Sequence, residues 1–170
     1  MDKIIYTLAD GSVAIVCPAP KVNLEKQFGS LTDVQYEELV RARSIPEDAI
    51  NVRGIRDSDI PVSRKYREAW IDVTSESRID VCCEKARNIA LERLRRDRDN
   101  KLSDNDALYI RIIKDNGDPT DVLAKRNALL SATDDLKMLD VTGKVNDENL
   151  LDQIEELSKL RVGTDDIKNS

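Results

Sequence analysis

The chain has 170 residues, of which 35% are charged, and its net charge is −6. This acidic composition argues against general nucleic-acid binding and against binding to anionic membranes, because both usually require a basic surface. The absence of histidine excludes histidine general bases, Ser-His-Asp and Cys-His nucleophiles, and metal sites that contain histidine. Hydrophobic residues make up 40% and aromatic residues only 4%, so we expect a core of mostly aliphatic side chains.

The cysteines and the termini exclude further classes of protein. Cys17, Cys82 and Cys83 lack the CxxC spacing of a structural zinc site. Three thiols do not form a disulfide framework, which suits a reducing cytoplasm. The N-terminal stretch has no adequate apolar signal region, and no run approaches the roughly 18 apolar residues of a membrane span. We therefore expect a non-enzymatic protein without metal, cofactor or membrane segment.

A β-hairpin is predicted at the start of the chain. Two runs rich in β-forming residues, Ile4–Leu8 and Val13–Cys17, flank Asp10-Gly11. This dipeptide is typical of tight hairpin turns because it tolerates a positive φ. Pro18 then ends the second strand, since proline has no backbone donor. A two-stranded hairpin is marginally stable by itself, so it requires a surface to pack on.

A helix and a third strand are predicted next. Thr32 followed by Gln35 is a capping-box pattern, which predicts a helix over about Asp33–Arg43. Ile50 and Val52 alternate with polar residues and indicate a short strand that pairs with the hairpin.

The end of this region contains the only tryptophan. Ser63 is a candidate cap for a short helical turn that reaches Trp70. Residues 1–75 are therefore interpreted as a small α+β module. At the end of this module, Trp70 is placed to anchor it to the region that follows.

From residue 80 onward the apolar periodicity is that of helices. The predicted helices each follow a cap residue: Val81–Lys101 after Asp80, about 105–115 after Ser103 or Asp104, 119–132 after Asp118, and Asp147–Leu160 after Asn146. The predicted fold class is thus α+β, with the N-terminal hairpin and helix module followed by a helical hairpin or small bundle over 80–162. Residues 163–170 are predicted to be a flexible tail.

The first of these helices is rich in arginine. Its five arginines are scattered around the helical wheel rather than aligned, and three of them have an acidic residue four positions away; they are Arg87, Arg93, Arg95, Arg96 and Arg98. Nucleic-acid binding favours unpaired cations on one face, with aromatic side chains for stacking on single strands. The pattern therefore favours a solvated helix, with a protein-contact face as the alternative.

Two arginines lie within the apolar arc of their helices. Arg93 does so on the arginine-rich helix, and Arg126 projects among the apolar side chains of the 119–132 helix. An unpaired buried charge is very costly, so each arginine must extend to solvent, form an ion pair or contact another chain. The alternatives are an interhelical ion pair with Asp97 or another carboxylate, and a contact with a subunit or partner.

Two stretches carry a resemblance to known proteins. Residues 45–70, "IPEDAINVRGIRDSDIPVSRKYREAW", resemble a block of uncharacterised bacteriophage and prophage proteins in which a DG hairpin precedes the pattern P-x-DAINVR…DIP…R-x-(Y/F)-R-x-AW. Residues 125–136, "KRNALLSATDDL", are similar to the R-x-x-LL-x-x-(S/T)D element of phage tail or tail-fibre assembly chaperones. Asp135 stands where those chaperones usually carry tryptophan.

The resemblance covers roughly residues 3–140 and implies a phage structural or assembly protein. It implies a chaperone-like role by protein–protein interaction in tail or tail-fibre assembly, in the cytoplasm of the host bacterium. The implied partner is a phage tail or tail-fibre protein, with a second copy of the chain as a further possibility. Stable virion components, such as tail or adaptor proteins, and inhibitors of a host defence protein are the alternatives. The candidate partner-binding residues are Arg67, Trp70, Arg93, Arg126, Leu129, Leu130 and Asp134.

Overall fold

The structure, a computed structural model, describes residues 3–159 and confirms the α+β class. The chain divides into two compact units, of which unit 1 ends at Cys82 and unit 2 starts at Cys83. The predicted tail over 163–170 and the predicted end of the last helix at Leu160 lie outside the described residues.

The elements of the two units follow one another along the chain. Unit 1 contains β1 (Lys3–Thr7), β2 (Val13–Val16), α1 (Lys21–Phe28), α2 (Asp33–Ser44), β3 (Ile50–Ile55), β4 (Trp70–Val73) and β5 (Arg78–Val81). Its short 3-10 turns are Asp57–Asp59, Arg67–Ala69 and Thr74–Glu76. Unit 2 contains α3 (Cys83–Lys114), α4 (Thr120–Ser131), α5 (Asp134–Met138) and α6 (Glu148–Leu157).

The predicted hairpin and third strand are confirmed. β1 pairs antiparallel with β2 on one edge and with β3 on the other, so that β1 is the central strand. At the hairpin turn, Gly11 has a φ of 77°, and the Asp10 carboxylate accepts a hydrogen bond from the Ser12 N–H at 2.8 Å. The dipeptide therefore acts as predicted, with glycine in the left-handed conformation and aspartate holding the turn.

The predicted capping box starts α2. The Thr32 hydroxyl accepts from the Gln35 N–H at 3.2 Å, and the Gln35 side chain accepts from the Thr32 N–H at 2.9 Å. Tyr36 and Val40 of this helix form a buried cluster with Ile4 of β1. The helix thus supplies one of the surfaces on which the hairpin packs.

A buried ion pair joins three strands of unit 1. Asp72 on β4 has a side chain that is only 3% exposed, and it pairs with the guanidinium of Arg53 on β3. The Thr7 hydroxyl on β1 donates to the same carboxylate at 3.4 Å. Asp72 therefore links the three-stranded sheet to the separate β4–β5 hairpin.

The prediction that Asp80 caps a helix is wrong, because Asp80 lies in strand β5. It is paired in register with Ile71 of β4, and its carboxylate forms an ion pair with Arg78 at 2.9 Å. The turn between β4 and β5 lacks glycine, and Ser77 takes a φ of 54° instead. The usual turn dipeptide was therefore missing from the sequence pattern.

The helical turn predicted before Trp70 is present but short. It is the 3-10 turn Arg67–Ala69, and Trp70 itself begins β4. The Ser63 hydroxyl accepts from the Lys65 N–H at 3.4 Å, so it holds the loop that precedes this turn.

The predicted break at Ser103 or Asp104 is also wrong, because α3 runs unbroken for 32 residues. Neither glycine nor proline occurs between Cys83 and Lys114, and both polar residues are exposed to solvent in the helix interior. The helix ends where Asn116 takes a φ of 55° and the Gly117 N–H donates to the Ile112 carbonyl at 2.9 Å. Such an ending satisfies a carbonyl that the helix leaves free.

The later helix starts agree in part with the predictions. The Asp118 carboxylate accepts from the Thr120 N–H at 2.9 Å, but α4 begins at Thr120 with Pro119 in the cap position, one residue later than predicted. The cap of α6 is Asp147, which accepts from the Leu150 N–H at 3.1 Å, and the predicted cap Asn146 is wrong. With a φ of 49°, Asn146 does not have the extended backbone that a cap residue requires. Helices α1 and α5 were not predicted.

Helix α3 organises unit 2, since α4, α5 and α6 all contact it. The buried side chains of this unit are Cys83, Ala86, Ala90, Leu91, Leu94, Asn105, Val122, Leu129, Thr133, Leu136, Val141 and Ile154. Along residues 3–159, no helix has both the length and the apolar character needed to cross a bilayer.

Two alanine substitutions test the helix boundaries. Ser103→Ala is expected to raise the free energy of unfolding by about 0.5 kcal/mol, because alanine has the higher propensity for a helix interior. Thr32→Ala is expected to lower it by about 1 kcal/mol, because the capping box loses its acceptor. Urea denaturation followed by circular dichroism measures both. A loss of about 1 kcal/mol for Ser103→Ala would instead indicate that Ser103 caps a separate helix.

The link between the sheets of unit 1 can be tested at Asp72. Asp72→Asn is expected to lower the free energy of unfolding by about 2 kcal/mol, because the half-buried Arg53 guanidinium loses its counter-charge. Asp57→Asn is the matched control, since its pair with Lys3 is largely exposed and is worth at most about 1 kcal/mol. Equal losses in the two variants, measured by urea denaturation, would contradict a linking role for Asp72.

Candidate protein-interaction surface

Helices α3 and α4 form an antiparallel hairpin, because the link between them spans only residues 115–119 and the helices are in contact. Asn105 on α3 is buried, and its amide donates to the Val122 carbonyl on α4 at 3.2 Å. These two residues therefore mark the directions in which the helices face each other.

An ion pair marks one side of this hairpin. The Arg126 guanidinium on α4 lies 3.1 Å from the Asp106 carboxylate on α3. At 100° per residue, Asp106 lies about 100° around α3 from Asn105, and Arg126 lies about 40° around α4 from Val122 in the same sense. Because the two helices are antiparallel and face each other, rotations in the same sense from Asn105 and from Val122 lead to the same side of the hairpin.

Four aliphatic side chains lie on this same side. They are Ile110 and Ile113 on α3 and Leu123 and Leu130 on α4, at about 80° to 140° from the inward directions. Their exposed fractions are 53%, 46%, 42% and 46%. We define the hairpin face as Asp106, Ile110, Ile113, Leu123, Arg126 and Leu130.

The charges of the hairpin face cancel. Its carboxylate and its guanidinium have exposed side-chain fractions of 54% and 43%. An ion pair so open to solvent contributes only about 0–1 kcal/mol to stability. The pair therefore contributes little to the stability of the fold. It places one positive and one negative group among the aliphatic side chains of the hairpin face.

The seven predicted partner-binding residues fall in both units. Unit 1 contains Arg67 and Trp70, and unit 2 contains Arg93, Arg126, Leu129, Leu130 and Asp134. Trp70 and Leu129 are almost fully buried, so their side chains belong to the hydrophobic cores of their units. Arg126 and Leu130 lie on the hairpin face. Partner binding stays a prediction for all seven.

The other predicted residues lie elsewhere on the surface. Arg67 is exposed in its 3-10 turn, and Asp134 at the start of α5 pairs with Lys137 at 2.8 Å. Arg93 is exposed, whereas Leu91 of the same helix is buried. Ala86, Ala90 and Leu94 of the expected apolar arc are buried, so Arg93 lies at the exposed edge of that arc.

The predicted interhelical ion pair of Arg126 is present, with Asp106 as the carboxylate rather than Asp97. The sequence could not select the acid, because a helical pattern does not determine which residues of two neighbouring helices face each other. The packing of α3 against α4 places Asp106 opposite Arg126.

The sequence interpretation missed the two apolar directions of α4. Val122 and Leu129 are seven residues apart and buried, whereas Leu123 and Leu130 are seven residues apart and exposed. The sequence interpretation combined all four into one face around Arg126. A signal was present, since a single buried stripe on a 12-residue helix does not require adjacent leucine or valine pairs at both ends.

The described residues offer little for metal chemistry, since residues 3–159 contain no group of three or more cysteine, aspartate or glutamate side chains placed to hold an ion. No protein-family model, curated protein or solved structure matches this chain. The resemblance to phage proteins accordingly stays a prediction, and the geometry of the hairpin face is the independent observation.

We expect the start of α4 to be sensitive to acid, because the Asp118 carboxylate there accepts hydrogen bonds that protonation weakens. The pKa of Asp118 is lowered from its usual value because its carboxylate accepts hydrogen bonds from the Thr120 hydroxyl and backbone N–H. A lowered folded-state pKa stabilises the fold above the unfolded-state pKa of about 4, and the contribution is lost as the pH falls through the folded-state value.

Asp118→Asn is therefore expected to lose less stability than the wild type between about pH 5 and pH 2, because the amide keeps an acceptor but does not titrate. Thr120→Val, which removes the hydroxyl donor, is expected to reduce the acid-induced loss in the same direction. Urea denaturation across this pH range measures the effect. Identical pH dependence in the wild type and Asp118→Asn would contradict the assignment.

Proposed function

We propose that this chain acts by binding another protein through the hairpin face, and that the partner is a phage tail or tail-fibre component held during assembly. The observation that supports this proposal is the grouping of four half-exposed aliphatic side chains around one ion pair. Exposed apolar side chains that are grouped, with polar groups beside them, are typical of protein-contact surfaces.

The strength of such a contact follows from its area. Burying an aliphatic side chain completely contributes about 1.5–3 kcal/mol, so four half-exposed side chains contribute about 4 kcal/mol. A complementary partner surface about doubles this amount, against a cost of association of about 4–15 kcal/mol. The hairpin face alone therefore supports a weak and reversible contact, as expected of an assembly chaperone that must release its partner.

The sequence resemblance supports the same helix. Residues 125–136, which are similar to the element of tail and tail-fibre assembly chaperones, include the second half of α4. Arg126 and Leu130 belong both to that element and to the hairpin face. The geometric and the sequence arguments thus converge on one side of α4.

A capture experiment tests the proposal. The tagged chain is co-expressed with phage tail and tail-fibre proteins, and captured proteins are quantified by mass spectrometry. The double variant Leu123→Ser, Leu130→Ser is expected to capture at least tenfold less tail component, because about 2 kcal/mol of apolar burial is lost. Both leucines are exposed, so the melting temperature is expected to change little.

Met138→Ser is the matched control, because Met138 is exposed and lies outside the hairpin face. Three results would contradict the proposal: equal loss of capture in this control, stoichiometric amounts of the chain in purified virions, or capture of a host defence protein and no tail component. The second result would identify a permanent virion component, and the third an inhibitor of the host.

A further inference from the structure

We infer that a second copy of this chain binds the hairpin face, forming a weak two-fold dimer in the absence of the tail component. The inference rests on the proposed function in one respect, since both use the hairpin face as a protein-contact surface. It adds that a second copy covers the hairpin face first. This copy shields the exposed aliphatic side chains from water until the tail component binds.

Charge complementarity favours a second copy over an unrelated surface of one sign. The hairpin face contains one carboxylate, Asp106, and one guanidinium, Arg126, surrounded by apolar side chains. A purely acidic or purely basic partner surface matches one of these charges and repels the other. A second copy provides both signs, and two-fold symmetry makes every contact occur twice.

The geometry has a specific two-fold solution. When the rotation axis lies in the interface and parallel to the hairpin, α3 of each copy faces α4 of the other. Asp106 then faces Arg126 of the second copy, and both cross-pairs form together. Ile110, Ile113 and Leu123 all lie between the ion pair and the 115–119 link. Ile110 and Ile113 of each copy therefore contact Leu123 of the other copy.

The size of the surface sets the strength of this dimer. The 12 residues of α4 extend about 18 Å, and two adjacent helices are about 20 Å wide, so each copy offers about 360 Å² in projection. Stable interfaces usually bury about 800 Å² per partner. The dimer is therefore weak and depends on concentration, which leaves the hairpin face free to exchange its second copy for a tail component.

Sedimentation equilibrium over a wide concentration range provides the first measurement. The wild type is expected to associate reversibly from monomer to dimer, and Leu123→Ser to weaken this association at least tenfold. Met138→Ser is expected to behave as the wild type does, since its side chain is exposed outside the hairpin face. Circular dichroism confirms that each variant remains folded.

A charge exchange tests the arrangement of the two copies. Asp106→Arg and Arg126→Asp are each expected to prevent self-association, because like charges face each other across the two-fold axis. An equal mixture of the two variants is expected to form a heterodimer, because both cross-pairs are then of opposite sign. Glu156→Lys and Lys159→Glu form the matched control, since they alter another exposed ion pair of unit 2 outside the face. Each control variant is expected to dimerise as the wild type does.

The dimer inference is overturned if the wild type is monomeric at every concentration, if its association is unaffected by Leu123→Ser, or if the mixed charge variants stay monomeric. Capture of the tail component by the wild type separates this outcome from the proposed function. A monomer that captures the tail component overturns the dimer alone, and a dimer that captures no tail component overturns the proposed function alone.

Discussion

The continuity of α3 is the constraint on which unit 2 depends. A 32-residue helix without glycine or proline offers one long surface, and α4, α5 and α6 all pack along it. The packing of its last part against α4 places Asp106 beside Arg126 and brings Ile110 and Ile113 to the same side as the exposed leucines of α4. Asp106, Ile110 and Ile113 lie on the same continuous helix as the buried residues Cys83 to Leu94, so the position of the hairpin face is fixed relative to the core of unit 2.

Each unit contains a buried polar side chain that fixes how its elements align. In unit 1 the Asp72 carboxylate contacts both Arg53 and Thr7, and in unit 2 the Asn105 amide donates to a carbonyl of α4. A buried polar group costs free energy when its hydrogen bonds are lost, so an alignment that forms these hydrogen bonds is favoured over one that breaks them. Apolar contacts alone tolerate several alignments, because they are not directional.

The hairpin face combines weak apolar attraction with a neutral pair of charges. Its aliphatic side chains are half exposed rather than fully exposed, which keeps the free monomer compatible with water and limits the gain on binding. A chain with a net charge of −6 would repel a second copy over most of its surface, so a locally neutral region is the place where two copies can approach. Reversible self-association and reversible partner binding follow from the same modest area.

The sequence by itself determined the α+β class, the Asp10-Gly11 hairpin and the Thr32–Gln35 capping box, because each depends on residues close together along the chain. Hydrogen-bonding side chains and left-handed glycine act within a few residues, so local patterns report them. Only the tertiary structure decided that α3 is continuous, that Asp80 belongs to a strand, and which of the two apolar directions of α4 is buried. These outcomes depend on contacts between residues far apart in the sequence, and the candidate surface arises from the direction of α4 that those contacts leave exposed.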